Sequence, residues 1–168
     1  VNPHDISLTP GTSSSGSAVS VALGICPLAL ASQTAGSLVR PASFNGIYGF
    51  KPSFGFLPRT GMLKTTDSLD TIGFFTTHYK DLLNVFDAIR VRGRNYPISH
   101  QALNDHKRQA KPLSRPWRVA FIKTYTWNEA EDYAQESVVE FVNKLSDLEG
   151  VEVDEINLPE SFNQIHDI

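Results

Sequence analysis

The chain has 168 residues and a mass of 18.6 kDa, which is about one domain's worth of protein. With 40% hydrophobic and 20% charged residues its composition is that of an ordinary globular protein, and a disordered or collagen-like chain is excluded. A net charge of −3 and a pI near 5.9 argue against a nucleic-acid-binding surface, and the single cysteine excludes an internal disulfide.

The first ninety residues predict short helices and strands in alternation. Small apolar residues that end at Gly24 are typical of a closely packed helix and its stop signal. The apolar stretch that follows is interrupted by Pro27 and is too short to span a bilayer. Residues 51–68 are rich in proline and glycine and predict a loop. In chain order we expect a helix over 17–24, a strand over 28–31, a turn over 34–36, a helix over 37–44, a strand over 47–50 and a helix over 79–90.

The remainder of the chain predicts a polar connection followed by a strand–helix–strand unit. Residues 91–116 are basic and lack apolar periodicity, so we expect a solvated connection, with a nucleic-acid patch as the less favoured alternative. A strand–helix–strand unit at this spacing joins parallel strands, which predicts an α/β fold with a mixed β-sheet covered by helices. The expected elements are a strand over 118–122, an amphipathic helix from 128 or 129 to 148, a strand over 151–156 and a further helix over 161–168.

Charge is distributed unevenly along the chain. Only Asp5 and Arg40 are charged before Lys51, and the residues from Ser7 to Ser20 are mostly serine and threonine. A flexible Ser-rich linker is one interpretation of such a segment. The apolar helix that follows directly argues against it, because a linker has no reason to continue into a packed helix. We therefore expect this uncharged segment to be buried.

Two short segments carry serines in positions suited to chemistry. The loop from Gly11 to Gly16 has the glycine spacing of a phosphate-binding loop, but Ser17 stands where the lysine is needed, which disfavours a nucleotide site. The turn before Ser37 is built of small residues, so its consecutive N–H groups can converge on one point as an oxyanion hole requires. The alternative for Ser37 is a helix N-cap, a common position for serine.

Taken together, the two serine segments resemble the amidase signature family of serine hydrolases. The resemblance runs over roughly residues 2 to 75 and includes a Gly-Phe-Lys-Pro-Ser motif that begins at Gly49. The segments that carry it are Thr9 to Ser17, Pro27-Leu28, Gln33 to Ser37, Pro41-Ala42, Gly49 to Ser53 and Leu69 to Gly73.

The resemblance implies a triad of serine, cis-serine and lysine. Ser37 matches the nucleophile, and Ser13, which in the family follows a cis peptide, matches the bridging serine that activates it. The resemblance further implies backbone donors of the oxyanion hole at Thr34, Ala35 and Gly36, and supporting roles for Ser14, Gln33 and Arg40.

Several positions depart from the family pattern. Thr12 and Ser15 stand where the family has glycine, and Gln33 replaces the usual aspartate. The family's catalytic lysine lies upstream of the serine loop, no lysine precedes Lys51, and Lys51 itself matches a different motif, so the general base is unassigned. Because family members are several hundred residues long, we expect a truncated middle portion. It would form one incomplete amidase signature domain over 1–168, with a signature core over 1–75, a polar connection over 91–116 and a βαβ segment over 117–168.

The resemblance implies an amidase that hydrolyses a carboxylic amide C–N bond through an acyl-enzyme. The alternatives are an inactive remnant of the fold and an amidotransferase subunit that releases ammonia from glutamine. We expect a cytoplasmic protein that acts on a small-molecule amide without cofactor or metal, and that binds neither nucleic acid nor membrane. A homo-oligomer is left open.

Two further expectations concern residues beside the motifs. Asp70 is expected to fix a loop rather than to act as an acid or base. Core packing is favoured over the lining of an acyl pocket for Phe54, Phe56, Phe74 and Phe75.

Overall fold

The computed structural model describes residues 1–92 and 116–164. The chain divides into two compact units, Val1–His106 and Lys107–Ile168. Most of the predicted polar connection over 91–116 therefore lies outside the described residues, and so does the end of the helix expected over 161–168, where a short 3-10 helix covers Glu160–Gln164. The expected division of the domain stays a prediction.

The first unit is built around a three-stranded antiparallel sheet. Strand β3 is central and pairs with β1 on one side and β2 on the other, each antiparallel to it. The strands are β1 (Leu28–Gln33), β2 (Tyr48–Phe50) and β3 (Thr71–Thr76), and the helices are α1 (Ser15–Ala22), α2 (Val39–Phe44) and α3 (Tyr79–Ile89).

Glycine ends α1 in the way the sequence predicts. Gly24 has φ of +68°, a left-handed conformation that favours glycine. The N–H of Ile25 donates to the Ser20 carbonyl oxygen at 2.9 Å and the N–H of Gly24 to that of Val21 at 3.0 Å, which is the Schellman pattern of a helix end. The chain then turns directly into β1.

The hydrophobic core lies between the sheet and helices α1 and α2. Phe74 and Phe75 are fully buried, which confirms core packing for this pair. Gly73 allows strand β3 to pack directly against Phe50 and Leu38, because a Cβ at this position would clash with the Phe50 carbonyl oxygen and with the Leu38 side chain. The buried cluster comprises Ala18, Val21, Ala31, Leu38, Ala42 and Phe75.

The second unit confirms the predicted strand–helix–strand arrangement. Its parallel strands pair from Trp117↔Val151 to Ile122↔Ile156, and Gly150 precedes the second of them with φ of +74°. The helix begins later than expected because a 3-10 helix, Tyr125–Glu129, precedes it. The elements are β4 (Trp117–Ile122), α4 (Asp132–Ser146) and β5 (Val151–Ile156). Among the helices described, none combines the length and apolarity that crossing a membrane requires.

Candidate active site

The loop that precedes α1 holds its serines in a constrained backbone. Gly11 has φ of +84° and packs against α2, where a Cβ would lie 2.9 Å from the Pro41 Cα atom. The peptide bond between Thr12 and Ser13 is cis, as the resemblance to the family implies. Glycine is favoured at this φ and fits against Pro41, so Gly11 determines the direction in which the loop approaches the site.

Two buried asparagines anchor this loop to α2. Asn45 donates from Nδ2 to the carbonyl oxygens of Pro10 and Pro41, both at 2.8 Å. Asn2 donates from Nδ2 to the Phe44 carbonyl oxygen at 2.8 Å. Both side chains are almost completely buried, so these bonds are shielded from water. Sequence reasoning missed both roles, because an asparagine beside a helix end carries no local signal of partners so distant along the chain.

The turn that carries Ser37 is held by Gln33 rather than by a serine cap. Helix α2 begins at Val39, with Leu38 at the N-cap and no side-chain cap. The Oε1 atom of Gln33 accepts hydrogen bonds from the N–H groups of Leu38 at 3.0 Å and Val39 at 2.9 Å. The N-cap alternative for Ser37 is therefore wrong, and its hydroxyl is not engaged in capping.

The structure brings the two serine segments into direct contact. The N–H of Ser14 donates to the Ser37 carbonyl oxygen at 3.2 Å. The Ser14 hydroxyl also bridges to β1, since it donates to the Ser32 carbonyl oxygen at 3.1 Å and accepts from the Ser32 N–H at 3.2 Å. Ser13 directly precedes Ser14, so this hydrogen bond also keeps the backbone of Ser13 close to the turn that carries Ser37.

The small-residue turn leaves donors available. Within the part of the chain that the structure describes, the N–H groups of Ala35, Gly36 and Ser37 donate to no protein acceptor. Arg40 packs over this turn: its N–H donates to the Gly36 carbonyl oxygen at 3.0 Å, and a Cβ at Gly36 would lie 3.3 Å from its guanidinium. Unpaired N–H groups in a row can receive a developing oxyanion.

A buried carboxylate holds the start of the same turn. Asp70 accepts from the Thr34 hydroxyl at 2.6 Å and from the N–H groups of Thr65 and Thr66. The Thr34 hydrogen bond is the largest cause that lowers the pKa of Asp70, and the two N–H donors act in the same direction against desolvation. Asp70 therefore fixes a loop, as expected.

The expectation that the uncharged segment is buried is wrong. Between Ser7 and Ser20 only Gly11 and Ala18 are buried, and Ser13 is exposed. The physical reason is that the serines and threonines lie partly in the loop before α1 and partly on α1 itself, where Ser15, Ser17 and Ser20 stay only half-buried while Ala18 faces the core. Lys51, outside the segment, donates to the Pro52 carbonyl oxygen at 3.1 Å and is not bonded to either serine.

An open pocket of about 290 Å³ lies beside the Ser14 loop. Its walls are largely apolar, so they can receive a hydrocarbon group next to Ser14 and Ser32. The lining residues are Ser14, Leu30, Ala31, Ser32, Met62 and Ile72.

A comparison with protein-family models matches residues 1–168 to a family described as Amidase. The chain belongs to the amidase signature family, and the α/β partial amidase signature fold expected from the sequence is confirmed. Neither finding tests the roles of Ser13, Ser37 and their supporting residues, which stay predictions.

Particular relatives fall into two groups. A glutamyl-tRNA(Gln) amidotransferase subunit of Heliobacterium modesticaldum is 38% identical over 161 residues, which cover 94% of this chain and 32% of that protein. The native peptide amidase from Stenotrophomonas maltophilia superimposes with a TM-score of 0.75 and 29% identity, over 94% of this chain and 33% of its own. The corresponding glutamyl-tRNA(Gln) amidotransferase subunit from Thermotoga maritima superimposes with a TM-score of 0.71 and 25% identity. The match covers 94% of this chain and 35% of that subunit. The chain thus spans about a third of the length of these relatives.

Proposed function

We propose that this protein is an amidase that hydrolyses a carboxylic amide C–N bond, with Ser37 as the nucleophile. The observation that carries the proposal is the 3.2 Å hydrogen bond from the Ser14 N–H to the Ser37 carbonyl oxygen. This bond supports the proposal because it joins the loop with the cis Thr12–Ser13 peptide to the turn with Ser37, and a relay between their hydroxyl groups needs these two segments to be neighbours. The peptide amidase of similar fold supports an amide substrate.

The reaction follows from these positions. Ser37 Oγ attacks the amide carbonyl carbon while its proton passes to Ser13 Oγ, and Ser13 passes its own hydroxyl proton to a general base that later returns it through Ser13. The free N–H groups of residues 35–37 stabilise the oxyanion. The tetrahedral intermediate collapses, the C–N bond breaks, and the nitrogen leaves as ammonia or an amine with the proton that Ser13 returns. Water then hydrolyses the acyl ester and releases the acid. The base that assists Ser13 is not assigned to a residue of this chain.

Covalent labelling tests the nucleophile. We expect a fluorophosphonate to label Ser37, identified by peptide mass spectrometry, and Ser37→Ala to abolish the label. Ser43→Ala is the matched control, because Ser43 is an exposed residue of the adjoining helix α2 and should leave labelling unchanged. Near-UV circular dichroism first establishes that the protein is packed. A packed protein that is labelled elsewhere, or not at all, contradicts the proposal and favours an inactive remnant.

A second candidate function is that of an amidotransferase subunit that releases ammonia from glutamine. The amidotransferase subunit of Heliobacterium modesticaldum favours it, since it is 38% identical to this chain over 161 residues. A substrate that reached the pocket beside Ser14 would contact the Leu30, Met62 and Ile72 side chains, which suit an apolar group better than the polar end of glutamine. Ammonia release from glutamine, compared with release from an apolar primary amide, separates the two functions.

The remaining expectations belong to the same proposal. The substrate is a small-molecule amide, no cofactor takes part in the mechanism, and we place the protein in the cytoplasm. A homo-oligomer is left to measurement of the mass in solution.

A further inference from the structure

We propose that Asp70 is a positioning residue for amide hydrolysis, which acts through the Thr34 hydroxyl to fix the turn that holds the oxyanion. The inference rests on the proposed function of Ser37. Asp70 touches neither serine; its effect on the reaction passes through the backbone of residues 34–37.

The strand register places the two residues opposite each other. Strands β1 and β3 pair from Leu28↔Thr76 to Gln33↔Thr71. Thr34 and Asp70 follow as the next rung, where the backbone ladder has ended. Their side chains continue it with a 2.6 Å hydrogen bond from Thr34 Oγ1 to Asp70 Oδ1. The carboxylate therefore controls where the chain leaves β1 to form the turn.

Asp70 is itself held firmly on its other side. Its second oxygen, Oδ2, accepts from the N–H groups of Thr65 and Thr66, and the residue is 3% exposed. Arg59 donates to the Asp70 carbonyl oxygen at 3.3 Å and to that of Asp67 at 2.8 Å. With donors on both oxygens the carboxylate cannot rotate without losing buried hydrogen bonds, so it is a rigid anchor.

The turn is consequently tied at both ends. Asp70 holds its first residue, Thr34, and Gln33 Oε1 holds the N–H groups of Leu38 and Val39 just beyond its last residue, Ser37. An oxyanion hole works only when its donors point at the developing charge before the reaction begins. A displacement of about 1 Å in such a group can reduce the rate on the order of a hundredfold. The anchor at Thr34 should therefore act on the chemical step more than on substrate binding.

Substitution at Thr34 tests the proposal with a near-isosteric pair. Thr34→Val removes the hydroxyl at almost constant shape, and Thr34→Ser keeps it. We expect Thr34→Val to lower kcat for an amide by roughly tenfold to a hundredfold with KM changed less than about twofold. Thr34→Ser should stay within about threefold of wild type in kcat.

Asp70→Asn, which keeps Oδ1 and replaces the Oδ2 acceptor by an NH2 group, should also lower kcat. The double variant Thr34→Val/Asp70→Asn should be no slower than the slower single variant, because both act through one contact.

Two further measurements separate the possible failures. Amide hydrogen exchange in Thr34→Val should accelerate at Leu38 and Val39, whose N–H groups are bonded to Gln33 Oε1 at the end of the turn, and stay unchanged in α1, which shows a loosened turn in a folded protein. A wild-type protein that neither hydrolyses amides nor reacts with a fluorophosphonate overturns the proposed function and this inference with it. A reactive wild type whose Thr34→Val variant keeps its kcat overturns the role of Asp70 alone. So does a variant that loses exchange protection in α1 as well as at Leu38 and Val39, since the effect is then general destabilisation.

Discussion

The two units of the chain treat polar groups in opposite ways. Residues 1–92 bury Asn2, Gln33, Asn45 and Asp70, and each makes hydrogen bonds to backbone or hydroxyl groups, although Asn45 Oδ1 has no partner among the described residues. Among the side chains described in the second unit none is buried, and its polar contacts include exposed ion pairs. Buried hydrogen bonds fix loop geometry because breaking them costs more than breaking solvated ones. The unit that contains Ser13 and Ser37 is therefore the one whose loop geometry is fixed by buried hydrogen bonds.

The largest expected difference between the units concerns the loss of a phenylalanine ring. Phe75 is fully buried, so Phe75→Ala should lower the free energy of unfolding by about 3–5 kcal/mol. Phe141 on α4 is 61% exposed, and Phe141→Ala, the matched control, should cost less than about 1 kcal/mol. Chemical denaturation followed by far-UV circular dichroism measures both. Equal costs would contradict the contrast between the units.

Local signals predicted much of this architecture. Gly24 marked the end of α1, and the apolar stripe that became α4 predicted the strand–helix–strand unit, because both depend on periodicity within a short segment. Strand β3 was missed, since its residues are almost all buried and give no alternation between apolar and polar positions.

The supports of the site were harder to predict. The serine motifs could be recognised as such, but the bond from Asn2 to Phe44 joins residues 42 positions apart. The bond from Thr34 to Asp70 joins residues 36 apart. The Thr34–Asp70 bond depends on the pairing and register of β1 and β3, and the Asn2–Phe44 bond depends on how the start of the chain packs against the end of α2. Composition and spacing carry no record of that pairing.

Acid should weaken the first unit through Asp70, with an effect smaller than that of Phe75→Ala. Because folding lowers the pKa of this carboxyl, its stabilisation is fully present above the unfolded pKa of about 4 and is lost as pH falls through the folded pKa. We expect the free energy of unfolding of Asp70→Asn to depend less on pH below about 4 than that of wild type. Thr34→Val, which removes the largest cause of the shift, should reduce the dependence in part. Denaturation series between about pH 5 and about pH 2.5, that is from about one unit above the unfolded pKa to well below it, provide the measurement. An Asp70→Asn protein with the full acid dependence of wild type would show that other carboxylates are responsible.

The smallest effect is expected from an ion pair of the second unit. Arg118 donates to Asp154 at 2.9 Å across β4 and β5, with side chains that are 74% and 50% exposed. Water and salt screen such a pair, so Arg118→Gln should cost no more than about 0.5 kcal/mol. Fluorescence during denaturation reads this unit, since both tryptophans, Trp117 and Trp127, belong to it. Arg118→Lys, which keeps the charge, is the control. A loss above about 2 kcal/mol would mean that the pair is shielded from water in solution, as it would be at an interface with another chain. The second unit would then share the buried polar character of the first.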